Sequence, residues 1–203
     1  KEAEPDLSVL VATKGKPGLS GVTANSCSDR MAFHATLPST EPGGEAAWTY
    51  HAGDIHRVGG KVADKKLADV LAKNAAAAFD YLDRLGVPFV KKNGLPDQFV
   101  TDGSEYARAC YTGPRTAVHI EQALVKHFHN LNLPVLEYAM AVRLVHDNGK
   151  LAGVVAVDTR EKDPEKAFFC IRTPAVILAT GGGGMIYRHN VFPGGMTGDG
   201  FAM

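Results

Sequence analysis

The feature that most constrains the fold is a short apolar run, Ala175-Val176-Ile177-Leu178, which passes directly into Ala179-Thr180 and four glycines, Gly181 to Gly184. Bounded by Thr173-Pro174 on one side and glycine on the other, it reads as a short buried strand of a parallel sheet. Glycine lets a backbone approach a planar ring or a phosphate without side-chain obstruction, and it leaves loop amides free to donate. In open parallel sheets, ligands bind at that carboxyl end. Taken alone, the glycines read equally as a flexible turn without a ligand.

Two further segments bear on that choice. Thr197-Gly198-Asp199-Gly200 sets an acidic side chain between glycines where a helix is expected to begin. Amides and a carboxylate there can hold a polar cofactor chain or the carbonyl edge of a flavin, and simple N-capping by Asp199 is the alternative. Near the other end, Leu7 to Ala12 reads as a buried parallel strand running into Thr13-Lys14-Gly15. In a dinucleotide fold such a strand ends beside the adenosine ribose, often on an acidic residue; here Thr13 offers a hydroxyl in its place.

The intervening sequence supplies the scaffold. Leu67, Val70, Leu71, Ala75, Ala78, Phe79, Leu82 and Leu85 recur at helical spacing, which predicts a helix over 65–85 stopped by Gly86. Ile120, Leu124, Phe128 and Leu131 mark a second helix over 116–131. Extended sequence over 134–145, a turn at Asp147-Asn148-Gly149-Lys150, and strands over 151–157 and 167–172 predict a small antiparallel layer. The expected fold class is α/β, a parallel sheet plus that antiparallel β layer, within 203 residues that suffice for one domain.

Composition narrows the partners. Lys+Arg and Asp+Glu both number 22, so no net field recruits polyanions, and nucleic acid is excluded as the expected partner. No apolar run reaches the roughly 20 residues that span a bilayer. Cys27, Cys110 and Cys170 lack CxxC spacing, which argues against a zinc site or a disulfide framework and fits a reducing compartment. Cys110, between Arg108 and Arg115, sits where a thiol pKa could be lowered, though a structural role accounts for it as well. His51, His56, His127 and His129 lack the spacing of a helical metal site and read as surface or packing residues, so no metal is assigned.

Taken in order, these segments resemble the FAD-binding domain of the succinate dehydrogenase, fumarate reductase and L-aspartate oxidase flavoproteins, over nearly the whole chain. Lys14-Gly15 followed by Ser20-Gly21-Val22-Thr23-Ala24 is similar to the family's loop beside the pyrophosphate and isoalloxazine. Gly86-Val87-Pro88-Phe89 matches the close of its first long helix, and Arg108-Ala109-Cys110 with Arg115-Thr116 resembles its arginine-bearing segment. Ala139-Met140-Ala141 stands where the family's strand contacts adenine. Ala179-Thr180-Gly181-Gly182 resembles its ATGG loop, and Thr197-Gly198-Asp199-Gly200 its TGDG turn.

The resemblance implies a glutathione-reductase-like Rossmann domain with a cofactor-binding set of Thr13, Lys14, Gly15, Ser20, Gly21, Thr23, Ala24, Ala139, Met140, Ala141, Ala179, Thr180, Gly181, Gly182, Thr197 and Asp199. Respiratory members carry FAD covalently on a histidine after the serine; Gly21 stands there, which implies noncovalent FAD. The family passes hydride between flavin N5 and a small carboxylate, with a cap arginine moving the proton. No catalytic residue is assigned here.

The chain is expected to be a partial FAD domain over 1–203, the GxGxxG turn falling before Lys1 and the capping domain after Met203. Implied partners are that remainder of the flavoprotein, an iron–sulfur subunit, and the chain itself through unpaired sheet. The implied place is the cytoplasm or the cytoplasmic face of a membrane complex. Two alternatives stay open: a stable flavoprotein-derived piece without cofactor or activity, and an L-aspartate oxidase-like parent. Asn25-Ser26-Cys27-Ser28-Asp29-Arg30 replaces the family's alanine and paired glycines, and leaves the substrate open.

Overall fold

The computed structural model describes residues 1–203. In chain order the elements are β1 (Val11–Thr13), α1 (Val22–Asn25), β2 (Phe33–His34), α2 (Trp48–Val58), α3 (Lys65–Arg84) and the short strands β3 (Lys91–Lys92), β4 (Leu95–Pro96), β5 (Gln98–Phe99) and β6 (Ala109–Cys110). Then come α4 (Thr116–Asn130), β7 (Val135–Glu137), β8 (Ala139–Asp147), β9 (Lys150–Asp158), α5 (Pro164–Ala167), β10 (Phe168–Arg172) and α6 (Asp199–Ala202). Two compact units result: unit 1 is 1–26 with 125–203, and unit 2 is 27–124.

Unit 1 joins a parallel pair to an antiparallel meander. β1 runs parallel to β7, Val11 opposite Val135 and Thr13 opposite Glu137. β1 is shorter than the strand expected over 7–12, and Leu7 and Leu10 are exposed. Pro134, just before β7, has no N–H to extend the ladder toward Leu10; its carbonyl accepts from the Val11 amide at 3.1 Å and pairing begins there. The meander has the order β10-β9-β8. Asn148 and Gly149, with φ of 49° and 76°, make the tight primed turn that the Asn-Gly pair encodes. Where β10 crosses β9, a Cβ on Gly153 would stand 2.4 Å from the Ile171 carbonyl oxygen, so that close approach requires glycine.

The expected strand over 176–178 is corrected. No strand of the chain runs beside these residues, their backbone joins no ladder, and Ile177 is 95% exposed. The parallel sheet is therefore the pair β1–β7, and the α/β class rests on that pair together with the antiparallel sheets of the two units.

Unit 2 is organised by α3. Asp64 caps its start, accepting from the amides of Lys66 and Leu67 at 2.8 and 3.0 Å. Gly86, at φ 90°, ends it, with the Val87 amide returning to the Leu82 carbonyl. The inward face differs from the expected one in its first half: Leu67, Val70 and Leu71 are exposed, while Ala68 and Ala72 pack against Ala52 of α2. Alanines let the two helices approach closely, and the larger side chains turn outward. Further along, Ala75, Phe79 and Leu82 join Ala35, Leu37, Val87, Phe89 and Cys110 in the main core. Burying Phe79 and Leu82 contributes about 1.5–3 kcal/mol each.

Candidate functional site

The residues expected at the site all lie in unit 1, and the fold gathers most of them through direct contacts. Lys14 follows β1 and reaches across to the turn before α6, where its Nζ donates to Asp199 Oδ2 at 2.5 Å and to Thr197 Oγ1. Thr197 Oγ1 donates in turn to Asp199 Oδ1 at 2.7 Å. The Lys14 ammonium, opposed by partial burial and aided by Thr197, holds the Asp199 carboxyl below the ordinary carboxylate range. Asp199 is not a helix cap: Gly198, at φ 72°, occupies that position, and α6 is a single turn of four residues. The sequence reading that relied on a helix terminus there gives way to a lysine–threonine–aspartate cluster.

The glycine loop packs onto the same turn. The Gly198 amide donates to the Gly182 carbonyl at 3.1 Å, and the Met185 amide to the Met196 carbonyl at 2.9 Å. A Cβ on Gly200 would fall 2.1 Å from Thr180 Oγ1, and one on Gly182 would fall 2.7 Å from the Met196 methyl. Thr180, Gly182, Gly198 and Gly200 therefore interlock. Gly181, at φ 77°, has open space around its Cβ position.

The strand ends complete this region. The Gly15 amide donates to Thr13 Oγ1 at 3.4 Å, and the Tyr138 amide donates to the Gly15 carbonyl at 3.3 Å. Tyr138 carries a left-handed φ of 60° where the chain turns from β7 into β8, which brings Ala139, Met140 and Ala141 toward α6. Ser20 Oγ stands where a Gly15 Cβ would, and donates to the Lys16 carbonyl at 2.8 Å. Gly21, Thr23 and Ala24 lie at and within α1, with Gly21 at φ 93° and open space at its Cβ position. The Gly21 carbonyl accepts from the Asn25 side chain at 2.8 Å, so this last group is bonded within its own turn.

Sequence reasoning missed two groupings. Tyr138 lies under the Arg160 guanidinium at 4.8 Å and the Lys16 ammonium at 5.9 Å; its place beside Ala139 was the available signal. In unit 2, Asp54 accepts from Arg108, Arg57 and the Glu105 amide, the last at 2.9 Å. His51 is buried beside this group, its ring centroid 6.3 Å from that of His34. The spacing Asp54-x-x-Arg57 on a helix was legible, whereas the buried Arg108, 51 residues further on, was not. Of its two readings, Cys110 takes the structural one: burial pushes its thiol up to about 12 against the pull of the Gln98 amide, and the Arg108 group that its Sγ meets is the backbone carbonyl, not the guanidinium. No group of three or more His, Cys, Asp or Glu is gathered to hold a metal ion. No helix is long and apolar enough to cross a membrane.

The chain is similar to known proteins along nearly its whole length. A family profile described as FAD binding domain matches residues 2–203. The fumarate reductase (CoM/CoB) of Methanothermobacter marburgensis has a polypeptide 28% identical over 204 residues, covering 99% of this chain and 35% of that protein. L-aspartate oxidase of Halobacterium salinarum is 34% identical over 154 residues, covering 74% of this chain and 30% of that protein. Among solved structures, the Mycobacterium smegmatis Sdh1 complex aligns with a TM-score of 0.80 at 26% identity, over 98% of this chain and 34% of that one. The chain thus spans about a third of the length of the curated relatives it matches.

Proposed function

Since this chain belongs to the FAD-binding domain family, we propose that unit 1 holds FAD noncovalently and serves as the cofactor-binding portion of a fumarate reductase-, succinate dehydrogenase- or aspartate oxidase-like oxidoreductase. The observation that carries this reading is the junction of three segments distant in sequence: the end of β1, the glycine loop and the Asp199 turn, tied by Lys14. The residues fit the cofactor chemically. Gly181 and Gly21 leave open space where side chains would stand, and backbone amides flanked by glycine donate to phosphate or to a flavin edge.

Thr13, Lys14 and Gly15 would hold the ribose and pyrophosphate side, and Ala139, Met140 and Ala141 the adenine. Ser20, Gly21, Thr23 and Ala24, with Ala179, Thr180, Gly181, Gly182, Thr197 and Asp199, would hold the flavin side. Gly21 carries no imidazole for a covalent link, which supports the noncovalent form. Bound FAD supplies hydride transfer at N5 to or from a small carboxylate. The chain's own part is to bind and orient; no side chain of it is assigned as proton donor.

The whole protein would place this domain in the cytoplasm or on the cytoplasmic face of a membrane complex. Its partners there would be the remaining flavoprotein segments and an iron–sulfur subunit. Exposed Ile177, Ile186, Val191 and Phe201 in unit 1 support a covering partner, the remainder of the flavoprotein or a second copy. The higher identity to the aspartate oxidase, though over fewer residues, keeps that activity as the second reading.

The test is titration of the purified chain with FAD, followed by flavin absorbance and fluorescence. Saturable binding with all flavin released on acid precipitation supports the proposal. A chain that stays colourless and takes up no FAD refutes binding by this chain and favours a piece without cofactor. Flavin retained in the pellet refutes the noncovalent form.

A further inference from the structure

Unit 2 holds a groove of about 410 Å3, lined by Ala32, Phe33, His34, His51, Leu71, Asn74, Ala75 and Ala78. This volume lies within the range of small-molecule sites. Its walls are apolar on the α3 side, from Leu71, Ala75 and Ala78, and Phe33 of β2 also lines it. Polar character is confined to the Asn74 amide and two imidazoles. His51 is 4% exposed, and its Nδ1 is buried without a hydrogen-bond partner. A native interior seldom leaves such an atom unpaired, so it calls for a partner from outside the chain, whether a water, an ion or a ligand.

The charges beside the groove are unbalanced in one direction. Asp54 is the single carboxylate against two guanidiniums, Arg57 and Arg108. Arg108 is 2% exposed, and its Nε and Nη1 have no acceptor. Its charge acts on both His34 and His51. The cluster is thus short of negative charge and of hydrogen-bond acceptors, while the α3 wall offers Leu71, Ala75 and Ala78 with the Asn74 amide as its one polar side chain.

From this we infer that the groove binds a small monocarboxylate with a compact apolar body, the carboxylate set against His51 and the apolar part against Leu71, Ala75 and Ala78. A dicarboxylate is disfavoured, because its second charge would be desolvated against that aliphatic wall. Unit 2 contains the whole site, so the inference stands independently of the flavin reading. Free His51 is neutral, its pKa pushed down to about 4 by burial, then by Arg108 and His34, against the pull of Asp54. An anion beside the imidazole stabilises its charged form, so binding takes up a proton and strengthens as the pH falls toward 5.

The experiment is NMR of the full chain with histidine Cε1 labelled, titrated with benzoate, and with benzamide and succinate for comparison. His34→Gln and His51→Gln variants assign the two resonances. Benzoate is expected to shift both saturably and to raise the His51 pKa, with affinity rising by up to about tenfold per pH unit lost. Benzamide, without charge, and succinate, with two, are expected to bind at least tenfold more weakly. Ala78→Phe fills the groove from its exposed wall and is expected to abolish the benzoate response while leaving the unfolding midpoint unchanged. No shift at either histidine, an equal response to benzamide or succinate, or a response that survives Ala78→Phe would overturn the inference.

Discussion

Replacing Asp54 tests the buried charge cluster of unit 2 directly. The Arg108 side chain is 2% exposed and that of Asp54 7%, so the pair is removed from solvent. Asp54→Ala leaves the Arg108 guanidinium buried and uncompensated, a loss of about 3–5 kcal/mol. It also strips the acceptor from the Glu105 amide. Asp54→Asn keeps the shape and one acceptor oxygen but not the charge, and is expected to cost about 2 kcal/mol. Trp48, the chain's one tryptophan, begins α2, which also carries Asp54, so its fluorescence reports unfolding of this unit. With a urea slope of about 2 kcal/mol per M, the midpoint drops by about 1 M for Asp54→Asn and about 1.5–2.5 M for Asp54→Ala.

The dependence on pH separates charge from shape. Burial opposes ionisation of Asp54, but the Glu105 amide, Arg108 and Arg57 outweigh it and hold the carboxyl below its ordinary value. A depressed carboxylate pKa contributes stability that is complete above its unfolded value, about 3.9, and drains as the pH falls through the folded value. The gap between the natural chain and Asp54→Asn should therefore be constant above about pH 5 and close progressively below it. A midpoint change equivalent to less than about 1 kcal/mol for Asp54→Ala, or a gap that does not close in acid, refutes the reasoning.

His51 gives a separate acid signature. Its folded pKa of about 4 lies below the ordinary 6.5, so folding excludes a proton and unit 2 loses stability as the pH falls between those values, by up to about 3 kcal/mol. His51→Gln is expected to flatten that slope in the Trp48 unfolding profile. Thiol titration of the native chain should count two reactive cysteines, Cys27 and Cys170, with buried Cys110 appearing only on denaturation; fast reaction of all three would contradict its burial. Gly200→Ala drives a Cβ into Thr180 Oγ1 and costs about 1–3 kcal/mol in overpacking. It is expected to weaken FAD binding at least tenfold by equilibrium dialysis while the circular dichroism of the meander is retained.

Local signals in the sequence located the long helices and the hairpin well. The Gly86 stop and the Asn148-Gly149 turn need only their own φ angles, and α3 and the β8–β9 hairpin follow within a residue or two. The inward face of α3 was less legible, because Ala68 and Ala72 win the contact with α2 over larger neighbours for reasons of helix separation. Residues 176–178 have the composition of a strand, yet a strand exists only beside a partner, and composition carries no information about one. At the candidate site, glycine and Asp199 were visible as motifs. Their linkage by Lys14, and the clustering of Asp54, Arg57, Arg108 and His51, depend on contacts between residues far apart in sequence.

The Lys14–Asp199 bond joins residues separated by 185 positions. Contacts of such separation form late, after local elements have reduced the search. At ribosomal rates of about 5–20 residues per second, roughly 10 to 40 seconds separate the synthesis of one partner from the other. Through that interval α3 and the meander can fold as they emerge, while Lys14 awaits its carboxylate. With FAD held at this junction as proposed, cofactor loading would follow elongation through Asp199, and a nascent chain stalled upstream of that residue should carry a folded unit 2 and no flavin.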